Sequence, residues 1–249
     1  MSTDASNPSE QTLAQSRAAD ISPSSGDTPL AAKLRGFGPL GILAIVFILL
    51  TGNFIVGRKM IVLPIGAVLV LLWVHLSRTP WHEIGYVRPK SWLVSISVGI
   101  VFGVSFKLLM KVMVMPLLGA PPINPTFHFL ASNRALLPSM VWASLVAGWG
   151  EETIFRGWAF ERFGKLWGSS TAAKMAIVLI TSIWFGFEHY SNQGWFGAEQ
   201  AAIDGLVFAI IFAFTRRLWM LMIAHAAFDL TAFAIIYCNL ETRFAHFIF

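Results

Sequence analysis

From residue 36 to residue 57 the chain runs for 22 residues without a charged side chain. An α-helix rises 1.5 Å per residue, so about 20 apolar residues cross the roughly 30 Å hydrocarbon core of a bilayer. No water is available at that depth to satisfy backbone N–H and C=O groups, which restricts such a segment to a helix or a closed barrel. The composition extends the constraint to the whole chain: 56% of the 249 residues are hydrophobic and 12% charged, against about 45–50% and 25% in soluble domains. Of thirteen acids, four fall in the first thirty residues, which leaves nine for the remaining 219. A soluble globule could not cover its surface with so few. The expected fold is all-α, a polytopic transmembrane helical bundle embedded in membrane lipid.

Further apolar runs occupy residues 60–77, 91–115, and about 135–161, 171–190, 198–215 and 218–240, which predicts about seven spans. Residues 1–33 are expected to form a disordered polar tail: the first thirty hold seven Ser, three Thr and three Pro, with no aromatic residue. Residues 36–134 then hold the first helices and their loops, and residues 135–240 hold the helices that carry unusual polar groups. Placing the amino terminus in the cytoplasm puts eleven Lys and Arg inside and four outside, as the positive-inside rule favours. Lys107 and Lys111, one helical turn apart, are expected to snorkel toward the outer interface. The net charge of +5 is spread singly or in pairs between apolar runs, so no nucleic-acid partner is expected. The single cysteine, Cys238, excludes an intrachain disulfide or a Cys-based metal site.

A charge at mid-bilayer costs at least about 2.5–3.5 kcal/mol, so ionisable residues within spans are functional candidates. Here they gather in three places: Glu151, Glu152 and Arg156 in the fourth segment, His189 in the fifth, and His225 with Asp229 in the seventh. Glu152 and Arg156 are four apart in acid-before-base order, so they can neutralise each other across one helical turn. Glu151 is turned about 100° away and is left for chemistry or for another helix. His225 and Asp229 also share a face, and Phe185 lies one turn before His189. Helices counted from these segment ends place Glu151, His189 and His225 at unequal depths, so a tilted or broken helix is needed to bring them level.

A carboxyl group in a dry site is suited to take a proton from water, and a neighbouring imidazole can hold that water or share its proton. Donors elsewhere then stabilise a tetrahedral oxyanion. Together these groups describe peptide-bond hydrolysis without a covalent intermediate. No cofactor is required. The same two His and two carboxylates would also suit zinc, although no single helix holds a His-Glu-x-x-His pair. A proton-coupled transporter is a further alternative, since buried His and carboxylates relay protons; it predicts paired broken helices or an inverted repeat.

The ordered motifs Glu-Glu-x-x-x-Arg at 151–156, Phe-x-x-x-His at 185–189 and His-x-x-x-Asp at 225–229 resemble the CAAX prenyl protease 2 family, also called the Abi or CPBP family. The resemblance covers about residues 135–240, with a Trp-x-x-Ile-Gly connection of similar type at 81–85. It implies a catalytic transmembrane domain over 135–240 and an intramembrane glutamate endopeptidase that acts, without a metal, on a peptide or membrane-protein substrate, in protein maturation or bacteriocin processing. By that resemblance Glu151 activates water, His189 assists, and His225 with Asp229 lines the oxyanion site, with Glu152, Arg156 and Phe185 in support. Position 229 is Asp where Asn is commoner. An ionised Asp cannot donate to an oxyanion, so Asp229 must either be protonated or accept from His225 and orient its ring.

Overall fold

The computed structural model describes residues 28–53 and 59–248, and among them there is helix and no strand. Helix α1 (Pro29–Arg35) begins at Thr28, whose hydroxyl accepts from the Ala31 N–H, with Pro29 pre-set for the first turn. Residues 1–27 of the expected disordered tail lie outside the described residues, but its last residues are ordered. Ala31 is fully buried, Trp73 donates to the Leu34 carbonyl, and Arg162 donates to the Arg35 carbonyl. The expectation of disorder up to residue 33 is corrected by these tertiary anchors, which composition does not reveal.

Helix α2 (Pro39–Asn53) and helix α3 (Lys59–Leu76) follow. Trp73 and Val74 of α3 pack in one apolar cluster with Ile154, Phe155 and Trp158. Helix α4 starts at Trp92, capped by Ser91, and runs to Leu117 through a π turn at Met110–Val114. Helix α5 (Leu137–Glu151) passes directly into a π segment, Glu152–Trp158, and then into α6 (Ala159–Trp167). Wide π turns of this kind concentrate at functional sites, because they re-aim the side chains that follow.

Helix α7 (Thr171–Thr215) is broken at Gly194, whose φ of 65° and ψ of −165° no helix contains. Its two arms fold back on each other. A Cβ on Gly186 would lie 2.8 Å from the Ala198 carbonyl, and one on Gly205 would lie 3.3 Å from the Ser182 Cα, so glycines let the arms touch. Helix α8 (Trp219–Tyr237) and the short α9 (Glu241–Ala245) complete the chain.

Helix α8 is the centre of the bundle. Gly99 and Gly103 of α4 face it, and a Cβ on Gly103 would come within 2.1 Å of the Ala224 carbonyl. Gly148 brings α5 equally close, 2.5 Å from the Met222 carbonyl on the same measure. Small residues spaced by four allow this backbone approach where lipid supplies no hydrophobic drive between helices. The outward faces carry Leu93, Val101, Phe187 and Phe214, all exposed, as lipid contact requires.

Helix occupies described parts of all seven predicted segments, yet among the described residues three helices are long and apolar enough to cross a membrane, Trp92–Leu117, Thr171–Thr215 and Trp219–Tyr237. The pair Pro29–Arg35 and Pro39–Leu50, bent by 58°, would make a fourth. The fifth and sixth predicted segments are arms of one broken helix, the fourth is a 15-residue α-helix that passes into a π segment, and the second gives a shorter apolar helix over Pro64–Leu76. The structure is that of an integral membrane protein.

Candidate active site

A π segment after Glu151 and a helix broken at Gly194 answer the depth problem. Phe155 meets Phe185 edge to face at 5.0 Å between centroids, and the Arg156 guanidinium lies over the same ring at 4.5 Å. With the π segment packed on the first arm of α7 through Phe185, Glu151, His189 and His225 line one and the same cavity. Phe185 is buried and touches both the Arg156 cation and the His189 ring, whose centroid lies 4.7 Å away.

Glu152 is fully buried and joins three helical segments. Its Oε1 accepts from His225 Nδ1 at 2.8 Å and forms an ion pair with Arg156 Nη1 at 3.1 Å. Arg156 also donates through Nη2 to the Gly205 carbonyl on the second arm of α7, at 3.2 Å. The Glu152–Arg156 pairing is the one that helical spacing predicts; its use of the same oxygen to hold His225 is a tertiary fact. His225 is further confined by the Phe208 ring, stacked at 5.8 Å.

With Nδ1 committed to Glu152, His225 Nε2 points toward Glu151 Oε2 at 3.6 Å and Asp229 Oδ2 at 3.9 Å. Neither distance is a hydrogen bond. Of the two expected states of Asp229, the one in which it orients the imidazole is therefore corrected: Glu152 does this, because the π turn brings its carboxylate across to Nδ1 while Asp229 stays on the Nε2 side. Glu151 Oε2 is buried and has no hydrogen-bond partner. His189 Nδ1 lies 2.8 Å from the Phe185 carbonyl, so that nitrogen is the donor and Nε2 is the basic atom of the neutral ring.

Glu151, His189, His225 and Asp229 all line one cavity of about 570 Å³, a volume in the range of ligand sites. Glu152 and Arg156 stand behind its wall. The loop between α4 and α5 contributes Asn124, Thr126 and Phe127 to the rim, and the α7 hairpin tip contributes Asn192, Gln193 and Gly197. Glu241 of α9 ties this loop down: it accepts from the Asn124 N–H at 2.7 Å and pairs with His128 at 2.8 Å. Glu188, without an assigned role in the sequence, accepts from Trp184 Nε1 at 3.3 Å.

Sequence reasoning misplaces two groups and passes over two more. Lys107 does not snorkel outward; it is buried in the cavity wall, donating to Gln200 Oε1 at 3.1 Å with its ammonium over the Phe228 ring at 4.6 Å. Lys111 likewise turns inward, to the Pro122 carbonyl at 2.5 Å. Both find acceptors within the protein that are nearer than the interface. Asp204 and Gln200 also line the cavity. Asp204 carries the same signal as Glu151, an acid inside an apolar helix, while nothing in the local pattern marks Gln200. Among the described residues, no three His, Cys, Asp or Glu side chains are placed to hold a metal ion together.

The Trp-x-x-Ile-Gly connection holds the opposite end of the bundle. Ile84 is fully buried, and Gly85, at φ 82°, accepts from the Leu218 N–H at 3.0 Å. Tyr86 closes a ring of hydrogen bonds. Trp149 Nε1 donates to the Tyr86 hydroxyl at 3.0 Å, that hydroxyl donates to Thr153 Oγ1 at 2.8 Å, and Thr153 donates to the Trp149 carbonyl at 2.7 Å. Burial pushes the Tyr86 phenol above its ordinary value. The ring bridges the junction of α5 with its π segment, on either side of Glu151 and Glu152.

Residues 133–231 match the family model described as type II CAAX prenyl endopeptidase Rce1-like. That span contains α5 through most of α8, and with them all seven motif residues. Neither the curated proteins nor the solved structures contain a match to the chain.

Proposed function

We propose, from the Rce1-like CAAX endopeptidase domain at residues 133–231, a member of a protease family, that this protein is an intramembrane endopeptidase in which Glu151 activates water. The observation that carries the proposal is the cavity that Glu151, His189, His225 and Asp229 share. Glu151 Oε2, buried and unbonded, takes a proton from a water held between it and His189 Nε2. The resulting hydroxide attacks the peptide carbonyl carbon, and the carbonyl electron pair moves onto oxygen. His225, oriented through Nδ1 by Glu152, meets that oxyanion with Nε2–H in its protonated form, and a protonated Asp229 adds a second donor. As the C–N bond breaks, the proton held by Glu151 passes to the leaving nitrogen, and the carboxylate is regenerated.

Each step uses only side chains of this chain, so the mechanism runs without a metal. In this reading the amino terminus lies in the cytoplasm, and the substrate is a peptide or a membrane protein. The test is mass-spectrometric comparison of peptide products in membranes carrying wild-type protein or Glu151→Gln. Products formed by wild type and absent from the variant are expected. Identical product profiles would overturn the proposal, as would stoichiometric zinc in active purified protein for its metal-free form.

A further inference from the structure

The cavity has a second polar wall that the hydrolytic step leaves unused. Lys107 of α4, and Gln200 and Asp204 of the second arm of α7, all line it. Lys107 is 7% exposed and donates to Gln200 Oε1 at 3.1 Å. Gln200 and Asp204 lie four apart on one face of that arm, so the Lys107 ammonium held by Gln200 is set beside the Asp204 carboxyl group. Asp204 is 7% exposed, and its Oδ1 is buried without a hydrogen-bond partner. A buried acceptor left unbonded costs about 1–3 kcal/mol, more when charged, and persists where a ligand completes it.

The charge around these groups selects the ligand. Glu151 and Asp204 already face one cavity with Lys107 as the one ammonium among its lining groups, beside the Asp229 that keeps its proton in the mechanism above. A carboxylate or phosphate would add a third anion at close quarters to these two carboxylates in a low-dielectric site, where repulsion is strongest. An uncharged amide group meets no such penalty, and its N–H and C=O match an acceptor and a donor set side by side.

We propose that Lys107 and Asp204, bridged by Gln200, form a subsite that holds the main chain of the peptide being cleaved. Lys107 Nζ donates to one peptide carbonyl, Asp204 Oδ1 accepts from a neighbouring peptide N–H, and the chain is thereby laid across Asp229 toward Glu151. The subsite recognises amide groups rather than a charged chain end. This inference rests on the endopeptidase function proposed above.

The probe is a fluorogenic peptide selected for cleavage by the wild-type protein in proteoliposomes, together with analogues each N-methylated at one backbone nitrogen. Lys107→Met with Asp204→Ala, which removes both charges together, raises KM about tenfold or more and leaves kcat within about threefold, since a charged hydrogen bond contributes roughly that factor. One N-methylated analogue is bound poorly by wild type and loses that handicap in Asp204→Ala. An unchanged KM with a fallen kcat, or the same N-methyl penalty in both proteins, overturns the subsite while the protease stands. A preference for a free terminal carboxylate that vanishes in Lys107→Met also overturns it. If the wild-type protein cleaves no peptide, the endopeptidase and the subsite fall together.

Discussion

Glu152 is the acid on which the His225 imidazole and the buried Arg156 guanidinium both depend, and removing its charge has a calculable cost. Glu152→Gln preserves the shape and keeps one oxygen, but it removes the negative charge from the Oε1 position that serves both His225 Nδ1 at 2.8 Å and Arg156 Nη1 at 3.1 Å. Arg156 is 1% exposed and cannot reach water for compensation. Breaking a buried pair by neutralising one partner destabilises by about 3–5 kcal/mol, and the retained bond to Gly205 together with the Phe185 ring sets the value toward the lower end. Glu152→Leu with Arg156→Met removes both charges, and such replacements are often neutral or stabilising. What remains is the loss of the His225 Nδ1 acceptor, about 1–3 kcal/mol. The double variant is therefore expected to be at least as stable as Glu152→Gln, yet no more active, because His225 has lost its orientation. Reversible unfolding in detergent, followed by tryptophan fluorescence beside product formation, gives both numbers. The reasoning fails if Glu152→Gln unfolds within about 0.5 kcal/mol of wild type, or if the double variant shows the sum of the single losses.

The α4–α8 contact admits a steric test. Gly103→Val places carbon where 2.1 Å separates a Cβ from the Ala224 carbonyl, one residue from His225, so a loss of about 1–3 kcal/mol and a fall in product formation are expected; Val101→Ala, on the lipid-facing side, serves as the neutral control in the same unfolding assay. Tyr86 gives a pH dependence. Because burial raises its folded pKa, the folded state keeps the phenolic proton that the unfolded chain releases near pH ~10; the stability this contributes is complete below that value and is lost as pH rises through the folded pKa. Unfolding midpoints across that range should fall more steeply for wild type than for Tyr86→Phe, which starts about 1 kcal/mol lower at neutral pH for want of the Thr153 bond.

The chemistry-bearing residues were legible because hydrocarbon is intolerant of charge: Glu151, Glu152, Arg156, His189, His225 and Asp229 stand out from their apolar neighbours on that ground alone. Helical spacing then separated Glu151 from the Glu152–Arg156 pair, and the structure keeps that separation, with Glu151 on the cavity and the pair behind its wall. The same criterion reaches Asp204, whose acid lies in the apolar second arm of α7. It misled for Lys107, because a long cationic stem can run outward or inward, and only the position of Gln200 decides which.

The sequence by itself therefore determined that the chain is helical, where its long apolar segments lie and which few polar groups they carry, since hydropathy is a property of consecutive residues. Only the tertiary structure decided that α7 doubles back at Gly194, that a π turn swings Glu152 onto His225 Nδ1, and that Lys107 faces the cavity. Those outcomes depend on how closely backbones approach at Gly103, Gly148 and Gly186, and a glycine's fit is set by the helix opposite it, which no local pattern encodes.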